Sequence, residues 1–141
     1  MGGYYGYKMA VMEFIDGVTL DTIPTKSFED PSQLDELEQR ASELMDLLEH
    51  QHYVHGDVCA SNFIVFNVPD DEGEMKPNVV LVDFDLSSKY DPRLPPRYPP
   101  WVAKVSLLVA DAQKDGIMTY DGQKAMLKSV FSDIRRRFDN S

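Results

Sequence analysis

At 141 residues, 43% apolar and 27% charged, the chain has the size and composition of one ordinary globular domain, long enough to bury a core. Its net charge of −10 disfavours unspecific nucleic-acid binding, and the sequence holds no apolar run near the ~20 residues a membrane span needs. Cys59 is the single cysteine, which excludes an internal disulfide; the expectation is a soluble intracellular protein of the cytoplasm, with the nucleus also open to it.

The charge is uneven. Residues 1–70 carry 3 Lys/Arg against 13 Asp/Glu, whereas residues 71–141 balance 11 against 11. "MGGYYGYKM" has neither a secretory apolar core nor a Ser or Thr at position 6 for myristoylation. "YKMAVMEFI" (7–15) is β-prone and apolar, and Asp16-Gly17 offers a turn, so a buried strand followed by a connector is expected over 1–17. A helix is expected over 30–51. Asp30 can cap it, Pro31 suits its first position and Gln33 can support a capping box, while Leu34, Leu37, Ala41, Leu44, Met45 and Leu48 form one apolar stripe.

Two short strands, "FIVFNV" (63–68) and "NVVLVDF" (78–84), are joined by the acidic "PDDEGEMKP", a hairpin loop. "YDPRLPPRYPP" (90–100) has five prolines in eleven residues and suits neither a helix nor a central strand. Two helices are expected to close the chain within 101–138, one from Trp101 to Asp111 and one from Tyr120 to Phe138, the second with Met126, Leu127, Val130, Phe131, Ile134 and Phe138 facing inward. Arg135-Arg136-Arg137 then complements the dipole at its C-terminal end. The whole reads as one domain, 1–141, without repeats.

The chemistry gathers in "YVHGDVCASNF" (53–63) and in Asp83. Phosphoryl transfer needs a divalent metal on hard oxygen ligands and a carboxylate to orient a hydroxyl. Asp57 suits the second role as base, and Asn62 and Asp83 suit metal binding. An ordinary turn pair is the alternative for Asp57 and Asn62, and a cap or turn the alternative for Asp83, but their ordered context favours the first reading. His55 reads as a structural support more than as a catalyst. His50, His52, His55 and Asp57 match no metal-ligand spacing, and a solvated helix end accounts for the first two. Cys59 has no cation beside it in sequence to make it a reactive thiolate.

His55-x-Asp57-x4-Asn62, an apolar strand, a hairpin and Asp83-Phe84-Asp85 resemble the catalytic and metal-binding segments of the protein kinase-like superfamily. The "HGD" form resembles the aminoglycoside and choline phosphotransferase branch, and "DFDLSSKY" with "RYPP" and "GIMTYDGQKAML" resembles the fungal kinase-like proteins. The resemblance covers roughly residues 8–90. It implies a C-terminal lobe without its N-terminal lobe, mainly α-helical, with a hinge strand and a small β-hairpin. It also implies that the backbone of Met12, Glu13 and Phe14 would meet an adenine ring, that 30–51 is the lobe's central helix and 53–62 its catalytic loop, and that the cofactors are Mg²⁺ and ATP.

The departures are as informative. Cys59 stands where a lysine or histidine is usual, Asp85 replaces a glycine, and no Gly-rich loop or strand lysine precedes the hinge. The resemblance therefore implies a truncated or degenerate kinase-like protein that holds Mg²⁺-nucleotide weakly and is inactive alone. Two alternatives stand beside it. One is a non-catalytic module that binds a protein partner or a second copy through the exposed hinge strand; the other is one part of a longer ATP-dependent kinase.

Overall fold

The computed structural model describes residues 12–28, 30–99 and 116–140. Within them the chain is α+β, with two long helices and two small sheets. Helix α1 is Pro31–His50 and helix α2 is Tyr120–Asp139. One sheet has the order β1-β3-β4, from Val18–Thr19, Phe63–Pro69 and Met75–Leu81; the other pairs β2, Tyr53–Val54, with β5, Ser88–Lys89. All of these pairings are antiparallel.

Helix α1 starts as its local chemistry requires. The Asp30 side chain accepts from the Ser32 N–H at 2.9 Å, and Pro31, which has no N–H to satisfy, takes the first turn. Leu34, Leu37, Ala41 and Met45 are buried on one face, with Leu44 and Leu48 packed beside them. Helix α2 is capped by Thr119, whose hydroxyl accepts from the Gly122 N–H at 2.9 Å, and it buries Gln123, Met126, Leu127, Phe131 and Ile134. α1 packs against β4 on one side and α2 on another, and Phe63 and Phe131 are fully buried in the shared core.

The hairpin is displaced from its expected bounds. Met75, Lys76 and Pro77, expected in the loop, lie in β4, whereas Val82, Asp83 and Phe84 lie beyond it. The cause is local: Asp70 accepts from the N–H groups of Glu72 and Glu74, each at 2.9 Å, and pairs with Lys76, which closes the turn early. Pro77 is accommodated because β4 is an edge strand of its sheet.

The expected hinge strand needs correction. Residues 12–17 form no strand, and pairing begins only at Val18, opposite Val65. Met12 and Phe14 are 84% and 86% exposed, so their apolar character reflects no burial in this structure. Gly17 sets where pairing starts, because a Cβ there would lie 2.5 Å from the Val65 carbonyl oxygen and only a glycine lets the connector pass so close. The earlier part of that strand, 7–11, and the expected helix 101–111 lie outside the described residues.

The three arginines do more than face a helix dipole. Arg135 pairs with Asp35 and Glu38 of α1, Arg136 pairs with Asp133, and Arg137 donates to the carbonyls of Asp21 and Ile23 at 2.9 and 3.4 Å. Phe138 meets Phe28 edge-on at 5.2 Å, so the C-terminal end of α2 holds the segment that leads from β1 to α1.

Candidate functional site

The loop between β2 and β3 turns sharply at Gly56, whose φ is 82°. A Cβ there would stand 2.8 Å from the Leu86 carbonyl oxygen, so glycine is required by conformation and by space. The turn reverses the chain between His55 and Asp57 and lets one side chain serve both. His55 is completely buried, and its Nδ1 accepts from the Asp57 N–H at 3.2 Å. The ring proton therefore sits on Nε2, which donates to the Val82 carbonyl at 3.0 Å. Phe84 closes over the ring edge-on at 4.7 Å.

Burial pushes the His55 pKa below its ordinary value, and it outweighs the Val82 hydrogen bond and the charges of Asp57 and Asp83, which act the other way. The imidazole is a neutral strut between the loop and the end of β4. Both ring nitrogens are engaged, one with Val82 and one with Asp57.

Asn62 ends a 3₁₀ turn, Ala60–Asn62, and is buried. Its Nδ2 donates to the Asp57 backbone carbonyl at 2.9 Å and to the Asp57 carboxylate at 3.0 Å. With the amide nitrogen committed to Asp57, Oδ1 is the atom that remains for a cation. Asn62 also accepts from the Val82 N–H at 2.9 Å through its backbone carbonyl, which sets Asp83 one residue from the Asn62 pairing. Asp83 has φ 62°, a left-handed conformation that an aspartate tolerates better than most residues, and its side chain is exposed. Asp57, Asn62 and Asp83 are thus gathered at one end of the β3–β4 hairpin with His55 beneath them.

The donor set can be tested against a metal. Among the described residues no group of three or more His, Cys, Asp or Glu side chains could hold a metal ion by itself. One carboxylate and one amide oxygen do not make a zinc or calcium cage. They do suit Mg²⁺, which keeps several waters and takes one or two protein oxygens together with phosphate.

Met12, Glu13 and Phe14 are exposed, on backbone that belongs to no strand. Cys59 is half-buried, and its Sγ lies 3.2 Å from the Ser61 hydroxyl. Burial, with Asp57 nearby, raises its pKa, so it stays a neutral thiol.

Two residues of the site were missed in the sequence. Tyr98 is buried, and burial together with the Asp57 charge pushes its phenol up to about 12. Gln123 is buried on α2 and accepts from the His55 N–H at 3.1 Å. The sequence signal for Gln123 is a polar residue on an apolar stripe, three and four positions before Met126 and Leu127. Tyr98 had no signal beyond an aromatic residue in a proline-rich run.

No protein-family model matches the chain, and no curated protein matches it. Among solved structures the chain is similar to the Rio2 kinase from Chaetomium thermophilum, at 18% identity and a TM-score of 0.46, over 92% of this chain and 46% of that one. It is likewise similar to the Rio2 kinase-ADP/Mg²⁺-phosphoaspartate complex from Chaetomium thermophilum, at 17% identity and a TM-score of 0.43, over 92% and 45%. The chain spans less than half the length of these kinases.

Proposed function

We propose that these residues form the metal end of a kinase-like phosphotransferase site, which binds Mg²⁺-ATP weakly and does not transfer phosphate unaided. The observation that carries this reading is the pair of hydrogen bonds from Asn62 Nδ2 to the backbone carbonyl and carboxylate of Asp57, which commits the amide nitrogen and makes Oδ1 the side-chain atom that can ligate a cation. In this reading Asn62 and Asp83 hold Mg²⁺, and the metal supplies charge neutralisation for the phosphates. Asp57 orients the attacking hydroxyl and accepts its proton. His55 takes no proton; it holds the Asp57 backbone and the end of β4. Cys59, a neutral thiol, gives no positive charge to a transferring phosphate, so electrostatic stabilisation is weaker than a lysine would provide. Full catalysis requires phosphate-gripping groups of the kind a Gly-rich loop and a lysine supply, as they would within a longer ATP-dependent kinase.

Titration with Mg²⁺-ATP followed by thermal unfolding tests this directly. Ligand at ten times Kd stabilises the folded state by about 1.4 kcal/mol, a rise of a few degrees for a chain of this size. Asp83→Asn is expected to diminish the rise while leaving the unliganded Tm nearly unchanged, since the side chain is exposed and asparagine also tolerates the left-handed conformation. No rise at millimolar ATP in the wild-type chain would overturn the proposal.

A second reading rests on a different observation, the exposure of Met12, Phe14 and Val18 beside β1, an edge strand of its sheet. Such a surface suits a non-catalytic module that pairs with a partner protein or with a second copy of the chain.

A further inference from the structure

We propose that Gln123 is a positioning residue for Asp57 and Asp83, acting through His55; this rests on the metal-site reading above. Gln123 sits 68 residues from His55 in sequence, yet its Oε1 accepts from the His55 N–H in a buried hydrogen bond of 3.1 Å. His55 passes that constraint in two directions. Its Nδ1 holds the Asp57 N–H, and its Nε2 holds the Val82 carbonyl immediately before Asp83. The His55 N–H is held by α2, and Nε2 is held by Val82 just beyond β4. The first turn of α2 therefore sets where two of the three candidate functional side chains stand.

Packing alone does not explain an amide at this place. Gln123 is 2% exposed and its neighbours on the stripe are apolar. Among the described residues its Nε2 has no hydrogen-bond partner, which is costly for a buried donor. Leucine would remove that unpaired group and leave the His55 N–H unpaired in its place, so the exchange brings little net stability. The difference between the two residues lies in whether the loop is held in one position.

The test uses the 141-residue chain with Gln123→Leu, which removes the acceptor, Gln123→Asn, which withdraws it by one methylene, and Gln123→Glu, which keeps it. Hydrogen exchange at His55 and the amide chemical shifts of Asp57 and Asp83 are read without ligand, and Mg²⁺-ATP affinity is read separately. The leucine and asparagine variants are expected to lose protection at His55, to shift the Asp57 and Asp83 amides and to bind Mg²⁺-ATP about tenfold more weakly. Gln123→Glu is expected to restore both. Should the leucine variant not fold, the asparagine variant carries the comparison. Faster exchange at His55 with unmoved Asp57 and Asp83 amides would overturn the proposal, as would unchanged affinity in a folded variant. If the wild-type chain binds no Mg²⁺-ATP while the amides still shift, the positioning role stands and the metal-site reading falls.

Discussion

His55 decides more about this loop than its neighbours do. The ring is buried, donates from Nε2 and accepts at Nδ1, so the native state holds it neutral and its pKa lies below the ordinary 6.5. The unfolded chain then binds a proton that the folded chain refuses. Stability from this residue is present above about pH 6.5 and is lost as pH falls from there toward the lower native value, by at most about 1.4 kcal/mol per pH unit. Urea unfolding at pH 7.5 and pH 5.5 should therefore show a drop in the wild-type chain that is smaller in His55→Asn, and equal drops would refute the assignment. At this scale the sequence was informative where the partners are close. Asp57 and Asn62 lie five residues apart, and one loop can bring them together. Gln123 and Tyr98 are distant, and only folding puts them beside that loop.

The helices were legible because period and caps are local. Asp30-Pro31 opens α1 and Thr119 opens α2, and each apolar stripe marks its buried face. The contacts between them divide by strength. Phe131 is fully buried, and Phe131→Ala is expected to cost about 3–5 kcal/mol. Arg135 bridges Asp35 and Glu38 but is 38% exposed, so Arg135→Gln is expected to cost less than about 1 kcal/mol, with the difference vanishing in high salt. Denaturant titrations at low and high ionic strength check both, and a large, salt-insensitive loss at Arg135 would contradict this ranking. Strands were harder to read. Residues 12–15 have strand composition without a strand partner, and composition cannot supply one. The β2–β5 pair is two residues long on each side, and Ser88–Lys89 carries no strand signature at all.

For the molecule as a whole, the balance is between a charge of −10, which keeps copies apart, and an exposed apolar group at Met12 and Phe14. If that group is a docking surface, light scattering through a dilution series should show reversible association that strengthens with salt, as repulsion is screened. Phe14→Ser should weaken it. A monomer at every concentration and salt would remove self-association as the use of this surface. Among the described residues no helix is long and apolar enough to cross a membrane.

The sequence by itself determined both helices, the Asp30 cap of α1 and the cluster of Asp57 and Asn62, because each depends on residues within a few turns or one loop. Tertiary structure alone decided that Asp83 leaves β4 in a left-handed turn beside Asn62, that β1 begins at Val18, and that α2 reaches back to hold His55 through Gln123. Those features depend on which distant groups meet in the folded chain and on the buried hydrogen bonds left to satisfy there, and neither quantity is written in local spacing.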